Sequence, residues 1–190
     1  MLTEQDLAVL KAPFAPHELR FFVLSEKQAE DGSYWLTLQA YAPTPLIEER
    51  LDKVDPAWSV DFVTVEAATA KARARGAKGT DETKGFFVVA RLTVKGTSRV
   101  GIGFDADPRI AATFAFKNAA GRFGVGRYLE GPEWRRRKRI TDERIYRKLS
   151  YARDMSWDEA MNLVEEQGGE KASPKPSPRK PVADEEEIPF

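Results

Sequence analysis

Cysteine is absent from the 190 residues, which removes disulfide frameworks, thiolate nucleophiles and zinc ribbons from the field. Histidine occurs once, at His17 in a proline-flanked stretch, too little for a histidine-rich metal site or a Ser-His-Asp triad. No uninterrupted apolar run approaches the ~18 residues of a membrane span. The opening segment MLTEQDLAVLK is acidic where a signal peptide is basic. A soluble, cytoplasmic protein with no membrane partner is expected. Gly101-Ile-Gly103 and Gly121-Arg-Phe-Gly124-Val-Gly126 are glycine-containing, but neither is a GxGxxG opening a helix, and no Walker lysine follows either. Carboxylates are numerous yet run in acidic surface stretches with no apolar pocket around them. The expectation is therefore a non-enzyme without a cofactor or metal.

What is present is charge, unevenly placed. Thirty basic residues balance thirty acidic ones, but the balance is not local. Residues 1–55 carry 5 basic against 10 acidic side chains, residues 56–140 carry 17 against 8, and residues 141–190 carry 8 against 12. A middle third with net charge +9 points to a polyanionic partner, where a neutral total argues against one. The plainer alternative is a solvated, salt-bridged surface.

From residue 168 the composition changes. GGEKASPKPSPRKPVADEEEIPF holds five of the twelve prolines and almost no apolar residue before Ile188. Such a stretch cannot bury enough surface to offset its ordering entropy. The expected organisation is a domain over 1–167 and a disordered, proline-rich tail over 168–190.

Within the domain the pattern is mixed. Thr3–Leu10 reads as a short helix capped by Thr3, and Leu46–Val54 as another behind Pro45. Leu19–Lys27 and Tyr34–Tyr41 read as strands joined at Asp31-Gly32. Trp58–Val65, Phe86–Val94 and Arg99–Phe104 read as β-rich runs, the last two hinged at Lys95-Gly96. Residues 67–85 read as a long exposed loop or a fraying helix. Asp107 as N-cap and Pro108 as first residue open a helix to about Phe123. Phe116, Ala119, Ala120 and Phe123 recur at helical spacing and face the sheet. Gly121 and Gly124 thin it for close approach, and Gly124 with Gly126 end it. The expected class is α+β, a curved antiparallel sheet backed by one long helix.

Cations with interleaved aromatics are the positive signal. The hairpin offers Arg91, Lys95 and Arg99, and the long helix offers Lys117, Arg122 and Arg127. The preceding loop adds Lys71, Arg73, Arg75 and Lys78. After Trp134 come five consecutive cations, Arg135, Arg136, Arg137, Lys138 and Arg139. Cations spread over several elements suit a phosphate backbone, and aromatics stack unpaired bases. With no element suited to reading a major groove, sequence-independent binding is favoured.

Phe116-Lys-Asn-Ala-Ala-Gly-Arg-Phe123-Gly-Val-Gly-Arg-Tyr-Leu129 resembles the helix signature of the Rad fifty-two single-strand annealing family. Val88-Val-Ala-Arg-Leu-Thr-Val-Lys95-Gly resembles that family's hairpin, and Ala57-Trp58-Ser59 its Trp turn. Leu10-Lys-Ala-Pro-Phe14 resembles the bacterial DdrA-like (DNA damage response protein A) branch. The likeness spans roughly residues 8–130. It implies a β-β-β-α core, assembly into a homo-oligomeric ring, and single-stranded DNA held in an outer groove. It further implies annealing of complementary strands in DNA repair and recombination, on the nucleoid, without nucleotide hydrolysis. By position, Lys117 matches the helix lysine of an inner DNA site, Lys95 the hairpin lysine of an outer one, and Arg91 an arginine on the same strand. Two departures stand out. Thr44-Pro45 occupies the place of a family arginine, and the segment between Phe104 and Lys117 is short, removing an outer-site lysine. Arg109, Arg122 or the 135–139 cluster are the candidate substitutes. Competing expectations are a non-annealing protector of single strands or 3′ ends, and an RNA-binding or chaperone module.

The last seven residues, Asp184, Glu185, Glu186, Glu187, Ile188, Pro189 and Phe190, are similar to the C-terminal tip of bacterial single-stranded DNA-binding proteins. A terminal Phe with a free carboxylate fits an apolar pocket rimmed by Lys or Arg, while the acidic run steers its approach. Proteins that recognise such tips are the implied partners. The acidic tip is also expected to compete with DNA for the basic face of its own or a neighbouring subunit at low salt.

Overall fold

In a computed structural model of the chain, residues 1–72, 81–151 and 154–167 are described. They form an α+β arrangement of two three-stranded antiparallel sheets and five α-helices. The first sheet has the order β1-β2-β6, from β1 (Arg20–Gln28), β2 (Tyr34–Tyr41) and β6 (Arg135–Ile140). The second has the order β3-β4-β5, from β3 (Ser59–Ala72), β4 (Asp81–Val94) and β5 (Thr97–Asp105). A single continuous sheet was the expectation, and two are found. Helix α2 (Thr44–Asp52) stands between β2 and β3, so the chain leaves the first sheet before the second begins.

Local chemistry sets most boundaries. Helix α1 (Glu4–Lys11) opens with a reciprocal capping box, Thr3 Oγ1 accepting from the Asp6 amide at 3.1 Å and Asp6 Oδ2 from the Thr3 amide at 2.9 Å. The β4–β5 turn places Lys95 at φ 47° and Gly96 at φ 73°, the left-handed pair that matches strand twist in a two-residue hairpin. Helix α3 (Pro108–Gly121) has Asp107 as N-cap, Oδ1 accepting from the Arg109 amide at 2.8 Å, with Pro108 in the first turn.

The residues expected to face the sheet from α3, Phe116, Ala119, Ala120 and Phe123, are all buried, together with Ala111 and Ala115. Of the two glycines expected to allow close approach, Gly124 does so against the Lys11 side chain and Gly121 does not, while the approach of α3 itself rests on Gly101 and Gly103. A Cβ on Gly101 would run into Ala115 O and Ala119 N, and one on Gly103 into Ala111 O and Ala115 N, whereas Gly121 has open space around it. The Ala111–Ala115–Ala119 stripe therefore lies directly on bare β5 backbone. One core joins both sheets, with Leu36 and Leu38 of β2, Leu92 and Val94 of β4, Phe116 and Trp157 in one cluster. Each such aliphatic side chain contributes roughly 1.5–3 kcal/mol by leaving water.

The loop or helix expected over 67–85 is corrected. Residues 67–72 and 81–85 extend β3 and β4, paired from Ala67↔Phe86 out to Ala72↔Asp81. Ala, Lys and Glu are poor strand formers alone, but a ladder already started by Val60 and Phe86–Val94 extends through them, because β-preference follows context. Beyond the expected elements lie β6, helix α4 (Glu143–Tyr151) and helix α5 (Trp157–Glu166). The tail 168–190, with its tip, lies outside the described residues. Among the described residues no helix is long and apolar enough to cross a membrane.

Candidate nucleic-acid interface

The five-cation run is a strand. Its register with β2 pairs Gln39 with Arg135, Thr37 with Arg137 and Trp35 with Arg139. Paired residues share a face and successive ones alternate. Leu36, Leu38 and Ala40 point into the core, so Trp35, Thr37, Gln39 and Tyr41 lie on the opposite face with Arg135, Arg137 and Arg139. These arginines recur every ~6.8 Å, about twice the axial rise per nucleotide of a stacked strand.

Each arginine is held differently. Arg135 Nε donates to Gln39 Oε1 at 2.9 Å, while the Gln39 amide donates to Leu129 O at 2.8 Å and Trp134 O at 3.2 Å. Arg137 lies over the Trp35 ring at 5.0 Å. Arg139 pairs with Asp31 and donates to Ser33 Oγ. Among the described residues no ion pair takes up Arg135, Arg136, Arg137 or Lys138. Charged edge strands resist edge-to-edge pairing, which would account for a lysine or two. Five adjacent cations repel one another and destabilise the compact state, which a merely protective edge does not require.

The far end of this face meets α3. Lys117 Nζ lies 4.7 Å from the Tyr41 ring centre and donates to Ala42 O at 3.0 Å. Half-buried there, the ammonium is pushed by desolvation down to about 8. Lys117 also lines a groove of about 690 Å3 with Arg99, Arg122, Arg127 and Glu130. Arg99, Arg122 and Arg127 are shared with an adjoining cleft of about 520 Å3 against α1, to which Lys11 is added. Arg99 reaches this side because its partner Leu92 points into the core, and its guanidinium lies 5.8 Å from the Phe123 ring centre. Two cationic regions result: the β6 arginines beside Trp35, and Lys117 at Tyr41 with Arg122, Arg127 and Arg99, separated by the buried Gln39, which donates to Leu129 O and Trp134 O.

The remaining candidates belong to neither. Arg91 lies on the opposite face of the second sheet, across from Asp61 and Val100. Lys95 is engaged from two sides: Nζ meets Asp6 Oδ1 of α1 at 2.8 Å, and its amide donates to Asp55 Oδ2, just beyond α2, at 2.5 Å. The Lys95 hydrogen bond and the capping box together draw Asp6 down to about 2. Arg109 is taken up by its own N-cap, Asp107. Lys71 belongs to β3, with its side chain outside the described residues, and Arg73, Arg75 and Lys78 lie outside them altogether.

Sequence reasoning missed Lys11, Trp35, Gln39 and Tyr41. The alternation of Tyr34–Tyr41 already sorted Trp35 and Tyr41 onto the face opposite Leu36 and Leu38. Nothing in RRRKRI itself, without alternation, revealed that β6 would lie beside them.

No family model, curated protein or solved structure matches this chain. The likeness to single-strand annealing proteins rests on the residues quoted for it.

Proposed function

We propose that this chain binds single-stranded DNA independently of sequence and anneals complementary strands, without nucleotide hydrolysis or a cofactor, in DNA repair and recombination. The observation that carries this reading is the arginine row of β6 on a sheet face that also presents Trp35, with a second cationic groove around Lys117 beyond Gln39. Cations at regular spacing neutralise phosphates, and a flat aromatic next to them stacks any base. A three-stranded sheet with short side chains such as Thr37 and Ser25 between them admits a splayed single strand.

The same reading includes self-association through the second sheet. Its uncovered face presents Phe87, Val100 and Ile102, the last 53% exposed, and its β3 edge presents Phe62 and Val65, 49% and 55% exposed. By register Phe62 and Val65 share the side of the buried Ala90 and Val88, so exposed apolar groups stand on both faces of this sheet, and such groups mark interaction sites when they gather in patches. A ring closes when one copy's patch meets a different patch on the next. The C-terminal tip recruits partner proteins that recognise such ends.

The test is annealing of complementary oligonucleotides by the full chain, with binding titrated against salt. A steep linear fall of log affinity with log salt, and annealing faster than the protein-free rate, are expected. Salt-insensitive binding, or none, would overturn the reading.

A further inference from the structure

The cleft between α1 and the end of α3 is chemically unlike the rest of the cationic surface. Its floor is apolar, made by Leu2, Leu7, Phe123 and Tyr128, and its rim is cationic. The shape is held from both sides. Gly124, at φ 99°, lets the Lys11 stem pack where a Cβ would meet Lys11 Cγ at 2.5 Å. Tyr128 is fixed by its hydroxyl, which accepts from the Phe14 amide at 2.7 Å. Among the described residues none of the rim cations Lys11, Arg99, Arg122 and Arg127 has an ion-pair partner.

We infer that this cleft is the docking site of the chain's own C-terminal tip, with the Phe190 and Ile188 side chains on the apolar floor and the carboxylates on the rim. The chemistry matches part by part. Asp184, Glu185, Glu186 and Glu187 face four unpaired cations, and the two large apolar side chains of the tip find one of the grooves in which rim charge and apolar floor coincide. Reach is sufficient. Sixteen residues separate Gln167 from Asp184, an extended span of at most ~55 Å, against a radius of gyration of about 15 Å for a body of this size. Tethering supplies an effective concentration of order millimolar, so a weak contact suffices to keep the cleft filled. Arg99, Arg122 and Arg127 serve both the cleft and the Lys117 groove, so a polyanion in the groove competes with the tip. Docking stands independently of the nucleic-acid reading; release by single-stranded DNA rests on it.

The test places a photoreactive benzoyl-phenylalanine at position 190 of the full chain and maps the crosslinks by mass spectrometry. Crosslinks to the Leu2–Leu7 and Phe123–Tyr128 segments are expected at low salt, with yield falling at least fivefold on Arg122→Glu plus Arg127→Glu. The same variant, with circular dichroism unchanged, excludes unfolding as the cause. Crosslinks elsewhere, or a yield untouched by the charge reversal, overturn the docking. A mixture of isotopically heavy and light chains separates cis from trans: mixed-mass crosslinks overturn docking within one protomer. Adding oligothymidine, with its binding followed by anisotropy, gives the last arm. DNA that binds without lowering the crosslink yield overturns the competition. DNA that does not bind overturns the proposed function and leaves the docking intact.

Discussion

The two sheets have three antiparallel strands each, yet their open faces are opposites. The β1-β2-β6 face carries Arg135, Arg137 and Arg139 beside Trp35 and Thr37; the β3-β4-β5 face carries Phe87, Val100 and Ile102. Each sheet gives one face to the core, because alternation leaves the other face free to carry any chemistry. Stability therefore constrains only half of the strand residues. The other half is where a polyanion surface and an apolar association surface can coexist in one small body.

The largest expected effect is a double dissociation between these faces. Arg135→Glu, Arg137→Glu and Arg139→Glu together should weaken single-stranded DNA binding on the order of 100-fold and lower the salt slope by about 2, at ~0.7 per lost phosphate contact. Light scattering of that variant should give the parent's mass. Phe87→Asp with Ile102→Asp should do the reverse, dissociating the assembly while salt-dependent contact per protomer persists. Equal effects of both sets on both readouts would dissolve the distinction.

A smaller change sharpens the basic face alone. Trp35→Ala should weaken binding by ~1–3 kcal/mol, the range for one base–aromatic stack, with the salt slope unchanged because no charge is removed. Trp35→Phe should restore most of it. A changed slope would mean that Trp35 acts by holding Arg137.

Lys117 of α3 and Asp6 of α1 differ in how pH acts on them. Lys117 titrates at about 8 in the folded chain against an ordinary 10.5. Between these values the unfolded chain binds more protons, so this group makes stability rise with pH. Lys117→Met should flatten that rise in urea titrations between pH 8 and 10. Asp6, held at about 2 against an ordinary 3.8 by Lys95, stabilises above pH 3.8 and loses its contribution as pH falls towards 2. Asp6→Asn should lower the urea midpoint at pH 7 and not at pH 2.

The smallest effect is a control on both faces. Ser156 Oγ caps α5 by accepting from the Glu159 amide at 3.2 Å. Ser156→Ala should lower unfolding free energy by ~1 kcal/mol and leave DNA binding and assembly as they are.

Much of the fold was legible because the signals were local. Thr3 and Asp107 announced helix starts through side chains that satisfy amides a turn away, and Lys95-Gly96 announced a hairpin through backbone conformation. Leu36, Leu38 and Ala40 declared the buried face of β2 through strict alternation. The candidate site was legible as composition, an excess of cations in the middle of the chain, but not as a surface. Sequence alone could not separate Arg91, which faces away, from Arg99, eight residues on and across a hairpin.

What the sequence by itself determined was therefore the inventory: the mixed class, the helix and hairpin starts, the β2 core face and the basic middle third. These follow from interactions between residues close along the chain. Tertiary structure alone decided that RRRKRI is a strand, that 67–72 and 81–85 extend a hairpin, and that Lys95 is occupied by Asp6 while Arg122 and Arg127 are not. Those outcomes depend on partners far away in sequence: β2 for β6, the Val60–Val94 ladder for its own extension, and α1 for Lys95. A strand without alternation carries no register of its own, and only the neighbour that pairs with it decides which of its side chains reach solvent.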